Sequence, residues 1–222
     1  MNVDMNTIRF LGAAQLFVFV ASLLSNQLLK SLVGSGDISE SLVNISENLP
    51  RMRISTLVAL LNCLGIVTLG ALFYIVLNEQ NKILALVALG CFLAEGITLA
   101  LSKIGAYGLM PLSQEFVAAG APESSYFQTL GDFLYNGVDQ KGYDIHMLFF
   151  CVGAILWYSL LHMSGFVPPL ISIWGIVAAC LISIPVLLSL IGIDFLPAGI
   201  LALPYAPYEL VLGVWLIFKG FN

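Results

Sequence analysis

The chain has 222 residues, of which 59% are hydrophobic and only 9% charged. Soluble domains carry about 25% charged residues, so there is too little polar surface here to cover a water-soluble globule, and the mean hydropathy of +0.98 agrees. The formal net charge of −5 lies mostly in the connections between apolar runs and includes no basic patch, which speaks against nucleic acid as a partner.

A membrane span needs about 20 consecutive apolar residues. Six stretches qualify: Ile8–Val33, Ile54–Leu77, Ile83–Tyr107, Tyr143–Met163, Pro168–Ile191 and Ala198–Phe218. Backbone groups in lipid must bond within their own segment, so each is expected to be a helix. The first run is too long for a signal-peptide core and reads as an uncleaved span. The expected architecture is all-α: one six-helix transmembrane bundle filling residues 1–222 as a single domain, with membrane lipid around it. The connections 78–82, 164–167 and 192–197 are short and force antiparallel neighbours. The connections 34–53 and 108–142 are long and fall on the same side of the membrane. Each carries an amphipathic stretch. In the first, Ile38, Leu42, Ile45 and Leu49 recur at helical spacing; in the second, Phe116, Phe127, Leu130 and Leu134 mark apolar faces. Two helices lying at the bilayer interface, or a lid folded over the bundle mouth, would satisfy that pattern.

Lys30, Arg51, Arg53, Lys103 and Lys141 lie on the long-connection side, against Arg9, Lys82 and Lys219 opposite. Taken literally, the positive-inside rule puts the long connections in the cytoplasm. Several of those cations are candidate site residues, however, and the same connections hold most of the acids. The expected orientation is therefore the reverse, with both termini cytoplasmic. The four cysteines, Cys63, Cys91, Cys151 and Cys180, all fall inside apolar runs, form no CxxC pair and read as small hydrophobes.

Within the spans the polar residues cluster. Glu95 and Glu209 sit near the middle of the third and sixth runs, where a carboxylate costs roughly 3 kcal/mol on insertion scales. Gln15, Ser22 and Asn26 share one helical face; so do Arg51, Ser55 and Asn62; and Glu95, Thr98 and Ser102 line up toward Lys103. The fourth span opens with Asp144 and His146, and the sixth with Tyr205 and Tyr208 ahead of Glu209. These stripes predict a polar vestibule in the half of the membrane nearest the long connections. Pro204 and Pro207 precede Glu209; a half-helix starting at Pro207 would put that carboxyl in a first turn, where the helix dipole favours negative charge.

The chemistry of cofactor sites is poorly matched. His146 and His162 are the only histidines. They share one run, about 24 Å apart along a helix axis, and cannot bind one haem iron. Lys103 lies near a membrane edge, wrongly placed for a retinal Schiff base. Asp144, His146, Glu95 and Glu209 are suitable metal ligands by type, but residues two apart on a helix point in different directions. Neither a metal nor another cofactor is expected.

Three segments carry a family likeness. The first is Leu72-Phe73-Tyr74 through Asn81-Lys82-Ile83-Leu84-Ala85-Leu86, leading to Glu95. The second is Gly153-Ala154-Ile155-Leu156-Trp157-Tyr158-Ser159-Leu160-Leu161, running into Ser164-Gly165-Phe166-Val167-Pro168 and Gly175. The third is Glu209, Trp215-Leu216 and Lys219-Gly220. Together they resemble the bacterial integral-membrane family catalogued as domain of unknown function 4386. The resemblance implies a multi-span bundle in a bacterial inner membrane and assigns no activity, so no catalytic role is carried over.

The leading functional expectation is non-enzymatic binding or handling of a small amphiphilic or lipid-like ligand in an intramembrane polar pocket. Its expected lining is Glu95, Glu209, Asn26, Arg51, Arg53, Asn62, Asp144, His146, Tyr205 and Tyr208. The alternatives are a small proton-coupled transporter using the two glutamates, an intramembrane enzyme using Asp144, His146 and the glutamates as acid–base groups, and a structural or regulatory subunit whose glutamates pair with Arg51, Arg53 or Lys103. The oligomeric state stays open.

Overall fold

The computed structural model describes residues 4–34, 37–123, 125–193 and 198–220, and these contain helices and no strand. In chain order the helices are α1 (Met5–Val33), α2 (Ile38–Glu47), α3 (Leu49–Leu77), α4 (Lys82–Ala118), α5 (Tyr126–Asp132), α6 (Lys141–Ser164), α7 (Pro169–Leu190), α8 (Ala198–Ala202) and α9 (Tyr205–Phe218). A π-helical stretch, Phe133–Gln140, joins α5 to α6 without interruption. Six helical segments are long and apolar enough to cross a membrane. Large apolar side chains such as Phe10, Phe17, Leu57, Leu64, Ile97, Ile104 and Leu170 stand on the surface. Apolar exposure on this scale suits lipid rather than water, and the chain is built as a multi-pass membrane protein.

Helix starts follow local chemistry. The Asn81 side chain accepts the backbone N–H groups of Ile83 and Leu84 at the head of α4, both at 3.1 Å. Gln128 reaches back to accept the Ser125 N–H at 2.8 Å at the head of α5. Pro168 and Pro169 open α7, where a missing N–H costs nothing.

The long connection expected over 108–142 is largely helix. α4 continues past Pro111 to Ala118, and Tyr126–Ser164 forms one span of 39 residues. At 1.5 Å per residue, the 37 residues of α4 reach about 55 Å, well beyond a hydrocarbon core of about 30 Å. Pro111 stops the helix no more than Pro185 stops α7. The break expected at Pro207 falls earlier. α8 ends at Ala202, Leu203 turns back onto the Ile200 carbonyl, and α9 begins at Tyr205 with Pro204 as its cap. Pro207 therefore lies in the first turn of α9, and Glu209 in the second.

The described residues group into two compact units. The first draws on Met1–Val20, Leu64–Ile97 and Asp144–Asn222, the second on Ala21–Cys63 and Thr98–Tyr143. In the first, Trp157 is fully buried, stacked on Phe73 at 5.3 Å and met edge-on by Phe92 at 6.1 Å. Backbones also close up at small residues there: a Cβ on Gly12 would stand 2.7 Å from the Gly213 carbonyl oxygen.

In the second unit, part of the apolar faces expected at the bilayer interface is packed against protein, while Leu130 stays exposed. Leu42 and Ile45 of α2 are fully buried in a cluster with Leu32, Met52, Leu109, Phe116 and Phe127. The physical reason is that α4 and α5 extend far enough to offer a second apolar wall, which a loop could not. Ser41 anchors α2 by donating to the Val33 carbonyl. The π stretch approaches α4 at glycines: a Cβ on Gly105 would stand 2.3 Å from the Leu134 carbonyl oxygen and 2.9 Å from the Asp139 nitrogen.

Both of those neighbours are backbone, which cannot swing away. Gly105→Ala is expected to cost about 1–3 kcal/mol by overpacking, seen as a lowered melting temperature in mild detergent. Gly90→Ala, whose Cβ would meet nothing within 4 Å, should leave the melting temperature unchanged or raise it. Equal behaviour of the two variants would disprove the close approach.

Candidate functional site

The first unit holds a polar network inside an apolar surround. Gln15 on α1 is buried, and its Nε2 donates to Glu209 Oε1 at 2.9 Å. The Tyr205 hydroxyl, one turn earlier on α9, donates to the same oxygen at 3.3 Å. Tyr158 on α6 lies 2.6 Å from the Tyr205 hydroxyl. The result is a continuous path from Tyr158 through Tyr205 to Glu209, closed by Gln15. Helical spacing makes it possible: Tyr205 and Glu209 are four apart and share a face.

Glu95 on α4 is 3% exposed. Its Oε1 lies 3.8 Å from Nδ1 of the buried His146, close enough to ion-pair when the imidazole is protonated but longer than a hydrogen bond. Glu95, Glu209 and Tyr158 belong to the same unit. Around them the rings pack in sequence: Phe150 against Tyr205 at 5.2 Å, Tyr158 against Tyr208 at 4.8 Å, and Trp174 against Tyr208 at 5.9 Å. Trp174 Nε1 donates to the Pro204 carbonyl at 3.0 Å and so ties α7 to the head of α9. The Tyr208 side chain is fully buried, and its hydroxyl lies against Gly175, where an added Cβ would overlap it.

One family model, described as a domain of unknown function (DUF4386), matches residues 10–220. The chain belongs to that family. No curated protein and no solved structure matches it. For this DUF4386 chain, roles must therefore come from geometry.

Of the expected site residues, Glu95, Glu209, His146, Tyr205 and Tyr208 gather in the first unit. Asp144 belongs to the same unit but turns elsewhere, accepting a bond from Ser189 Oγ at 2.8 Å. Asp144 and His146 thus point to different partners, as their two-residue spacing requires. Asn26, Arg51, Arg53 and Asn62 belong to the second unit. Arg51 and Arg53 are exposed, Asn62 is buried, and Asn26 lines a small void with Ser25, Ser55, Thr56 and Lys103. That void, about 10 Å³, has room for about one water molecule. A larger hollow of about 580 Å³ opens beyond the end of α1, lined by Asp37, Ser41, Gln128, Asp132, Tyr135 and Asn136 among others. None of the ten expected site residues lines it.

The second unit also supplies a residue that the sequence reading missed. Asp139, on the π stretch, is 1% exposed and pairs with the buried Lys103 at 2.9 Å. Lys103, expected as a partner for the glutamates, has Asp139 as its carboxylate instead. Nothing flagged Asp139, which stood in an expected connection where acids are ordinarily solvated. Tyr158 was passed over as part of an apolar run, although its hydroxyl completes the path to Glu209.

Removing one member of a buried ion pair leaves the other charge stranded. Lys103→Met is expected to cost about 3–5 kcal/mol, while Lys103→Met with Asp139→Leu should recover most of it. Thermal unfolding monitored by size-exclusion chromatography checks this, and a single variant as stable as the parent would refute the pairing.

Proposed function

We propose that this protein binds a small amphiphilic, lipid-like ligand, with the Glu95–His146 and Glu209–Tyr205 cluster receiving its polar end. One observation carries the reading: ionisable side chains converge within an apolar, aromatic-walled region of a single unit. Intramembrane ionisable groups are expensive and mark functional sites, and a few convergent polar groups in apolar walls are the usual make-up of a ligand site. In this reading the bacterial inner membrane houses the protein, with both termini cytoplasmic.

The reading predicts that protein purified in mild detergent carries an amphiphile enriched over the bulk membrane lipid, and that Glu95→Gln and Glu209→Gln each reduce the enrichment several-fold. Mass spectrometry of the organic extract measures it. A wild-type extract with the same composition as the surrounding membrane would sink the reading.

A second reading, proton-coupled transport, is favoured by the unbroken hydroxyl-to-carboxyl path Tyr158–Tyr205–Glu209. It predicts that protein in liposomes collapses an imposed pH gradient, and that Tyr205→Phe, which removes the middle hydroxyl, slows the collapse. Pyranine fluorescence inside the vesicles reports the rate. A rate equal to that of empty liposomes would end this reading and leave the first one standing.

A further inference from the structure

The hollow beyond the end of α1 lies within the second unit and shares no residue with the glutamate cluster. Its volume of about 580 Å³ falls in the range of small-molecule sites. Two of its polar side chains hold its shape. Ser41 donates to the Val33 carbonyl and fastens α2 to the end of α1. Gln128 is fully committed. Its Oε1 accepts the Ser125 N–H at 2.8 Å and the Ser125 hydroxyl at 2.6 Å, and its Nε2 donates to the Pro122 carbonyl at 2.9 Å and to Ser39 Oγ at 3.2 Å. The last of these bonds ties α5 to α2.

The other polar groups of the lining are uncommitted. Asp37 stands at the N-cap of α2 yet makes no capping bond, so its carboxylate is not spent on the helix. Asp132 Oδ1 accepts a bond from Asn136 Nδ2 at 2.7 Å, and its Oδ2 has no partner among the described residues. Among those residues the hydroxyls of Thr129 and Tyr135 and the amide oxygen of Asn136 also make no hydrogen bond. The set is short of donors. The carboxylates and the amide oxygen only accept, and each hydroxyl gives one O–H. No lysine or arginine stands among the described lining residues; Lys30, a turn back on α1, is exposed and outside the lining. The carbonyl end of α1 adds partial negative charge at Val33 and Gly34. The N-terminus of α2, on the same hollow, has Asp37 and Glu40 set against it.

We infer that this hollow binds a small organic cation rich in N–H groups, an aliphatic amine or a guanidine, held by Asp37 and Asp132 with Thr129, Tyr135 and Asn136 completing its bonds. Such a cation brings the donors that the walls lack and makes charge-assisted bonds to both carboxylates. A quaternary ammonium brings no N–H, and the described lining offers one aromatic ring, Tyr135, where such ligands are held by cages of several. A bare metal ion is a poor match, since no group of three or more His, Cys, Asp or Glu among the described residues could hold one. The ammonium belongs either to a free amine or to the head group of phosphatidylethanolamine, because the hollow opens at the end of a membrane-spanning helix.

The test uses the full chain in phosphatidylcholine nanodiscs, with spermidine, agmatine, choline and calcium titrated by isothermal calorimetry. Spermidine or agmatine is expected to bind at least about tenfold more tightly than choline. Asp37→Asn and Asp132→Asn should each weaken that binding about tenfold. Thr129→Trp, which obstructs the hollow without altering charge, should abolish it. Glu115→Gln removes an exposed carboxylate outside the lining and should leave binding unchanged. In a second arm the nanodiscs contain phosphatidylethanolamine, and native mass spectrometry counts the lipid retained. Retention that is lost in Asp132→Asn, without binding of the free amines, assigns the ammonium to the lipid head; binding of the free amines assigns it to a water-soluble ligand. Equal binding of choline, tighter binding of calcium, an equal loss in Glu115→Gln, or no binding from either source overturns the inference. Asp37, Asp132 and Thr129 are all exposed, so the three variants are expected to fold. None of these outcomes bears on the amphiphile reading of the first unit, which Glu95→Gln and Glu209→Gln test separately.

Discussion

Lipid offers no hydrogen bonds, and most of this structure answers to that one constraint. Every backbone N–H and C=O within the hydrocarbon region must find its partner in the same segment, which leaves helices as the solution. Polar side chains obey it as well. Thr56, Thr68 and Ser159 each donate to the carbonyl four residues back, and Ser102, Ser113 and Ser183 to the carbonyl three back. These residues are polar by composition but spend their hydroxyls on their own helix. That frees them to sit on the surface or in the interior alike, as the buried Thr56, Ser102 and Ser113 do, and it explains why a polar stripe in the sequence need not mark a pocket.

Larger polar groups cannot be satisfied so locally, and they sort into two centres of different character. In the second unit, Lys103 and Asp139 neutralise each other at 2.9 Å, and a glycine-lined approach of α4 to the π stretch holds them buried. π-Helical turns are rare; the one here carries Asp139. In the first unit, two carboxyls, one imidazole and a row of phenols share an apolar surround in which acidic groups predominate. The Lys103–Asp139 centre is complete in itself, as a structural element should be.

The contrast also bears on the structural-subunit alternative. It required the glutamates to be matched by Lys103, Arg51 or Arg53. Lys103 has its own acid, and both arginines are exposed. Near the glutamates stand Gln15, Tyr205 and His146, the groups on which the proposed function rests.

The six spans and the all-α class were legible in the residues alone, as was the placing of Glu95 and Glu209 within spans. Hydropathy depends on composition along a segment, and the cost of a buried carboxyl depends only on depth. The gathering of Gln15, Tyr205 and Glu209 was half legible, since spacing puts Tyr205 and Glu209 on one face but says nothing of α1. Other features were decided by tertiary structure: the continuation of α4 past Pro111, the burial of α2 against Phe116 and Phe127, the pairing of Asp139 with Lys103, and the recruitment of Tyr158. Each of these joins residues distant in sequence, or depends on a neighbouring helix being present to receive a side chain. Periodicity along one strand of chain reports which way a residue faces; only the packed helices determine what it faces.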